Sequence, residues 1–496
     1  MELQWKSNPC SHLHCSVRQV QNQEQTLELR LTDGMPDIGR VLCAWGQWLL
    51  HSKQWRSDGM QISGGVNAWV LYAPEDGSEP RCVEGWIPFQ AKWNFPESHR
   101  EGIIRIDGCI RSMDARTLSA RKLMVRASVA VLGEAMEPEE AMVYTTEELP
   151  EGVFVHQKTY PMQIPCEAGE KLINLDESLP LQGEMPRKLL CCRLSPCVTE
   201  QAAMGDKVVM RGMLRADFVY MGEDDLLHSG SQELPFAQLA DLDREYDKEA
   251  TASVTMAISN AECSLEGGQL QIKCSLIGQY LIHARVLVDI AEDAYSPNRS
   301  LTPVTTELRL PVQLDRFCEK MDVEVQLPHP AQQVLDVTFR PDWPVQYRGQ
   351  DGVHVELPGV FQVLYYDPEG NLQALTENCA AHLQIPAAEG CELRIGMHQS
   401  RVPAVTQMGD KMHLSTTVEM DIQAITTARL PMVSGLEIGE ALPVDPMRPS
   451  LVLRRCAQMS LWELAKHCGS TVEAIQKANQ LTDTPSPEQI LLIPVL

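Results

Sequence analysis

The stretch Val208-Val-Met-Arg-Gly-Met-Leu-Arg-Ala-Asp-Phe-Val-Tyr220 decides the fold class. Val208, Met210, Gly212, Leu214, Ala216, Phe218 and Tyr220 occupy one phase, while Arg211, Arg215 and Asp217 fall between them. Successive side chains of a β-strand point to opposite faces, so a period of two marks a long strand with one covered face. The same alternation runs through Leu270, Ile272, Cys274, Leu276, Gly278, Tyr280 and Ile282. It returns in Leu123, Val125, Ala127, Val129 and Val131, and in Met412, Leu414, Thr416, Val418, Met420 and Ile422. Asp58-Gly59, Gly205-Asp206, Gly267-Gly268, Asp351-Gly352 and Gly409-Asp410 favour positive-φ hairpins at strand entries.

Outward from that stretch, its aromatic end recurs. Ala68-Trp-Val-Leu-Tyr72, Ala216-Asp-Phe-Val-Tyr220 and Phe361-Gln-Val-Leu-Tyr365 each run into an acidic turn bearing Gly or Pro, and the tyrosines lie 148 and 145 residues apart. Each copy then resumes with Ile87-Pro-Phe89, Leu234-Pro-Phe236 or Leu383-Gln-Ile385. Phe236-Ala-Gln-Leu-Ala-Asp-Leu242 predicts a short helix in the second copy. Near-constant spacing of this kind reads as three copies of one domain. The chain of 496 residues has room for about three to five domains. The expected layout is an N-terminal segment at 1–26, then β-domains at 27–136, 173–290 and 304–440. Each is expected to be mainly antiparallel, a sandwich or partly closed barrel, because alternation demands one covered face.

A Pro-rich linker at 441–449 changes the period. Ser460-Leu-Trp-Glu463 is a capping box opening Leu461, Leu464, Ala465 and Cys468 on one helical face, and Gly469 stops that helix. Ser470-Thr-Val-Glu473 reads as a second capping box. With strands at 451–453 and 490–493, residues 450–496 form a βααβ unit. This unit resembles a LysM domain, in Ser460-Leu461, Leu464-Ala465, Gly469-Ser470-Thr471, Asn479-Gln-Leu481 and Leu491-Leu-Ile493-Pro494. Three β-rich copies ahead of it are similar to the SPOCS-domain proteins of spore-forming bacteria.

The resemblance implies a non-catalytic scaffold or adaptor of spore-envelope assembly, in the mother-cell cytoplasm at the forespore surface. It implies that the tail binds a coat morphogenetic ATPase of the SpoIVA type or another spore-coat protein. The alternative it implies is a peptidoglycan-binding wall or cortex protein holding N-acetylglucosamine chains through LysM. The family's Gly-Asp before the first helix is Gln458-Met459 here, and its Pro-Gly-Gln turn is Pro487-Glu488-Gln489, which fits a tail turned from glycan to protein.

Charge and motifs narrow the classes further. Asp and Glu number 67 against 42 Lys and Arg, a net charge of −25 that repels phosphate backbones and anionic headgroups, so nucleic acid and direct membrane insertion are not expected. The opening residues carry no basic start followed by an apolar stretch, so no secretory signal is expected. No phosphate loop, dinucleotide fingerprint, His-Glu-x-x-His or Gly-x-Ser-x-Gly occurs, and no catalytic residue or cofactor is expected. Gly-Asp-Lys at 205–207 and 409–411 reads as hairpin turns. Cys10-Ser-His12-Leu-His14-Cys15 offers four soft donors, but alternate residues of an extended segment do not wrap one ion tetrahedrally, so no metal site is assigned. Cys191, Cys192 and Cys197 read as buried strand thiols, and Met60, Met210, Met412 and Met420 as core.

The candidate contact surface lies in the tail: Gln458, Met459, Ser460, Trp462, Lys466, Asn479 and Leu481. Trp462 is out of phase with Leu461 and Leu464, so it is either an outward anchor for a partner or a ring lying along its own helix over the adjacent strand.

Overall fold

The computed structural model describes residues 6–95, 101–145, 149–181, 183–386, 390–443, 447–456, 459–481 and 485–496. It is mainly β, as the alternation requires, and one pairing scheme occurs three times. The first unit contains β1 (Lys6–Arg30), β2 (Ile38–Arg56), β3 (Gly59–Pro74), β4 (Arg81–Asn94), β5 (Ile103–Ser119) and β6 (Lys122–Thr145). The second contains β7 (Phe154–Pro180), β8 (Pro186–Gly222), β9 (Leu227–Tyr246), β10 (Thr251–Glu266) and β11 (Gln269–Tyr295). The third contains β12 (Arg299–Leu327), β13 (Gln333–Pro341), β14 (Val345–Gly349), β15 (Gly352–Tyr366), β16 (Leu372–Ile385), β17 (Glu392–Met408) and β18 (Lys411–Ala441).

In each unit the first strand pairs antiparallel with the last. The registers run from Lys6↔Thr145 to Arg30↔Lys122, from Phe154↔Tyr295 to Pro180↔Gln269, and from Arg299↔Ala441 to Leu327↔Met412. The last strand is central in its sheet, because the penultimate strand flanks it on the other side. The tight turn between them is built by Gly267 and Gly268 in the second unit, at φ 58° and 78°, and by Gly409 in the third, at φ 65°. Such left-handed backbone suits glycine and matches strand twist in two-residue hairpins.

The intervening strands make a second sheet that packs face to face on the first. It is β2-β3-β4 in the first unit and β13-β15-β14 with β16 in the third. In the second unit β8 doubles back at Gly205 (φ 61°), where Thr199 Oγ1 donates to Arg211 O at 3.4 Å across the bend, and β9 pairs with its second arm. Met60, Met210, Met412 and Met420 are fully buried between the layers. Asp58-Gly59 also makes its hairpin, and Gly59 is required by close approach, since a Cβ there would meet Trp93 O at 2.1 Å.

Several expectations change here. Of the segment expected at 1–26, the described residues 6–26 are not separate from the first β-domain, because β1 runs from Lys6 to Arg30. The second unit begins at Phe154 and not at 173, and the third at Arg299 and not at 304. The first two units end at Thr145 and Tyr295, beyond 136 and 290. The helix expected at 236–242 is the middle of β9, where Leu234, Phe236, Ala240 and Leu242 are buried against β8. Its alternate residues face an existing strand, and tertiary pairing overrides a helical propensity of this size.

The three units meet along shared cores. Leu71, Val219 and Leu364, each immediately before a repeat tyrosine, are at most 1% exposed and belong to one apolar cluster common to the three inserted sheets. Beside it Asp336 of the third unit accepts from Trp45 Nε1 of the first at 3.1 Å and from Arg193 Nη2 of the second at 2.7 Å. Further along, Glu134 accepts from Arg18 Nε at 2.9 Å and Arg105 Nη1 at 3.0 Å, and Arg105 Nη2 reaches Thr255 of the second unit at 3.2 Å. Burial alone would raise the Glu134 carboxyl, but the surrounding arginines hold it below the usual range. Gln279, fully buried, exchanges hydrogen bonds with the backbone of Ile106 at 2.8 and 2.7 Å. Arg316 grips Asp421 with two bonds and donates to Ala252 O of the second unit. Past this polar layer the β1–β6, β7–β11 and β12–β18 ribbons close on each other through Val143, Ile164, Ile290, Leu310 and Met432.

The tail consists of β19 (Leu451–Arg455), α1 (Leu461–Cys468), α2 (Val472–Asn479) and β20 (Ile490–Pro494). Its strands pair antiparallel and its core holds Leu464, Ala465, Ile475, Leu491 and Ile493, all fully buried. The first capping box forms as expected, with Ser460 and Glu463 bonded reciprocally, and Gly469 ends α1 at φ 64°. The second cap is Thr471 and not Ser470: Thr471 Oγ1 accepts from Ala474 N at 3.0 Å. Ser470 is fully buried, and its backbone is engaged by Ala465 O and by the Tyr295 hydroxyl.

Candidate functional site

Trp462 and Lys466 lie one turn apart on α1, so a helix places them on the same face. That face rests on the end of the β7–β11 ribbon. The Trp462 indole N–H donates to Asp293 Oδ2 at 2.9 Å, and Lys466 Nζ lies 2.8 Å from both carboxylate oxygens of the same residue. The His156 ring stacks on Trp462 with centroids 5.0 Å apart, and Tyr295 meets it edge-on at 4.8 Å. Tyr295 also donates its hydroxyl to Ser470 O at 2.9 Å, and Phe154 and Tyr295 extend the tail's own apolar core. Burial pushes the Tyr295 phenol up to about 12. Burial alone would raise the Asp293 carboxyl too, but the bonds from Lys466 and Trp462 outweigh it and hold Asp293 below the usual carboxylate range. Trp462 therefore neither projects free from the tail nor lies only over the tail's own strand; it bridges the tail to the second unit. Comparison with protein-family models, curated proteins and solved structures finds no match.

The other candidate residues divide. Ser460 is the cap of α1, and Met459 is half-buried against the tail core. Asn479 ties α2 to β20, its amide donating to Ile475 O at 2.8 Å and Leu492 O at 2.7 Å and accepting from Leu492 N at 2.8 Å. Leu481 packs against the same core. Gln458 lies outside the described residues. The structure thus joins Trp462 and Lys466 at one carboxylate and keeps Asn479 and Leu481 as internal struts. On the opposite side of the module the outer face of the β19–β20 sheet leaves Leu451, Leu453 and Ile490 exposed.

The residues missed in the sequence are Phe154, His156, Asp293 and Tyr295. They sit at paired ends of two strands more than 130 residues apart in the chain, so no local period marks them. The N-terminal Cys/His cluster lies in β1 opposite β6, where His12 and His14 each stand 3.6 Å from Glu139. Among the described residues no group of three or more His, Cys, Asp or Glu side chains is placed to hold a metal ion. Cys191 and Cys192 are buried, and burial pushes the Cys191 thiol up to about 12. No helix among the described residues is long and apolar enough to cross a membrane.

Proposed function

We propose that this chain is a non-catalytic adaptor of bacterial spore-envelope assembly, whose LysM-like tail recruits a coat morphogenetic ATPase of the SpoIVA type at the forespore surface. The observation that carries the reading is the engagement of Asp293 by Trp462 and Lys466: the candidate contact residues of the tail grip a protein carboxylate framed by protein rings. An indole donor with an adjacent ammonium suits an acidic polypeptide, since charge-assisted bonds to a carboxylate are about twice as strong as neutral ones. The three β-units supply an acidic body on which this module docks through Asp293. Asn479, at the position the LysM pattern reserves beside Leu481, is spent on the backbone of α2 and β20 and leaves recognition to Trp462 and Lys466.

The test is a parallel binding assay of the purified full chain against purified ATPase and against peptidoglycan sacculi. ATPase capture with no sacculus retention is expected. Sacculus retention that soluble chitin oligomers compete away, without ATPase capture, overturns the reading.

A further inference from the structure

Asp293 sits on α1 as a bound ligand would. It comes from residues 169 and 173 positions upstream of its two donors, and among the described residues no group of the tail itself bonds the Trp462 indole N–H or the Lys466 ammonium. Among the described residues the same chemistry recurs where Asp336 is held by the Trp45 indole and the Arg193 guanidinium. The two differ in access. The side chains of Asp336 and Arg193 are 9% and 11% exposed and locked between units, whereas those of Asp293 and Lys466 are 28% and 45% exposed at the rim of the molecule. A buried clamp is permanent, but a rim clamp on a separate module can exchange its carboxylate for another.

We infer that the Trp462–Lys466 face of α1 reads a carboxylate flanked by an aromatic ring on an acidic protein segment, and that the β7–β11 ribbon end occupies this face as an internal competitor. The inference rests on the adaptor reading for the identity of the natural partner alone. The internal ligand defines the chemistry: Asp293 supplies the charge, Tyr295 meets Trp462 edge-on and anchors Ser470, and the His156 imidazole, 3.3 Å from Glu292, covers the open side of the indole. A partner must displace this contact, so its apparent affinity is reduced by the fraction of molecules in which the face is free.

The probe is the synthetic peptide Asp289-Ile-Ala-Glu-Asp-Ala-Tyr-Ser296, titrated into the full chain and into the full-length double variant Asp293→Asn/Tyr295→Phe. These substitutions keep the side-chain shapes and remove the carboxylate charge and the hydroxyl. The double variant should bind the peptide at least tenfold more tightly than the unaltered chain, and a peptide carrying Asp293→Asn should lose that binding. In amide exchange the single variant Asp293→Asn should expose α1 faster while α2 stays protected, which reports undocking with the tail still folded. Equal peptide affinity in both chains, or α1 exchange unchanged by Asp293→Asn, overturns the inference. If the peptide binds as expected and the ATPase is not captured, the carboxylate-reading face stands and the adaptor reading falls.

Discussion

The indole N–H of Trp462 donates to Asp293 at 2.9 Å, and this bond joins a small helical module to a body made almost wholly of strands. The contact is bonded on one side and stacked on the other, so removing either partner has a defined consequence. Asp293→Ala should cost about 1–3 kcal/mol of docking, the scale of hydrogen bonds to a charged group reduced by solvent screening. Amide exchange of α1 measures it, with the exchange of β11 outside the contact unchanged.

Thr471 caps α2 and its neighbour Ser470 does not, so the two side chains differ in what their removal costs. Thr471→Ala removes the acceptor for Ala474 N and should destabilise the tail by about 1 kcal/mol. Ser470→Ala should be neutral or stabilising, because the buried Ser470 hydroxyl has no hydrogen-bond partner among the described residues. Thermal melts of the two full-length variants, followed by exchange at α2, separate them.

Asp336 is the point where all three units touch one carboxylate. Asp336→Ala leaves Arg193 buried without its counter-ion and Trp45 without its acceptor, and should cost about 3–5 kcal/mol. Because the pair spans units, denaturant unfolding should lose cooperativity as well as midpoint, which intrinsic fluorescence and circular dichroism followed together would show.

Two groups near the polar layer give opposite pH dependences. Burial, reinforced by Arg394, Arg105 and Arg316, pushes the His283 imidazole down to about 3. The unfolded chain takes up that proton below about 6.5 while the folded chain refuses it, so this residue costs stability as pH falls, by up to about 1.4 kcal/mol per pH unit. Relative to the unaltered protein, His283→Gln should therefore gain stability as pH is lowered from 6.5. Asp107 is raised by burial to about 6, against the Gly108 N–H that favours its charge. Its ionisation costs stability as pH rises from about 3.9 through 6, so Asp107→Asn should gain relative stability in that direction. Urea midpoints of the three proteins between pH 4 and 8 check both signs.

Much of the fold was readable because its signals are local. The alternation of Val208 to Tyr220, the spacing of Tyr72, Tyr220 and Tyr365, and the helix caps at Ser460 and Gly469 all lie within short windows. Tyr72 and Tyr220 even repeat one bond, each donating to a carbonyl 36 residues upstream, Pro36 O and Glu184 O. What escaped depends on partners far away. The pairing Lys6↔Thr145 makes the N-terminal segment a strand, yet nothing within that segment announces it. At 236–242 the helical and strand periods overlap, and only the presence of β8 decides between them. Trp462 carried a phase but no partner, since Asp293 and Tyr295 stand at the end of another unit.

The most direct measurement is a titration of the purified SpoIVA-type ATPase against the unaltered full chain, Asp293→Asn and Trp462→Ala. Binding at least tenfold tighter is expected for Asp293→Asn, which frees the face, and loss of binding for Trp462→Ala, which destroys it. Equal affinity in all three proteins, or weaker binding by Asp293→Asn with Trp462→Ala unaffected, would contradict recruitment through this face.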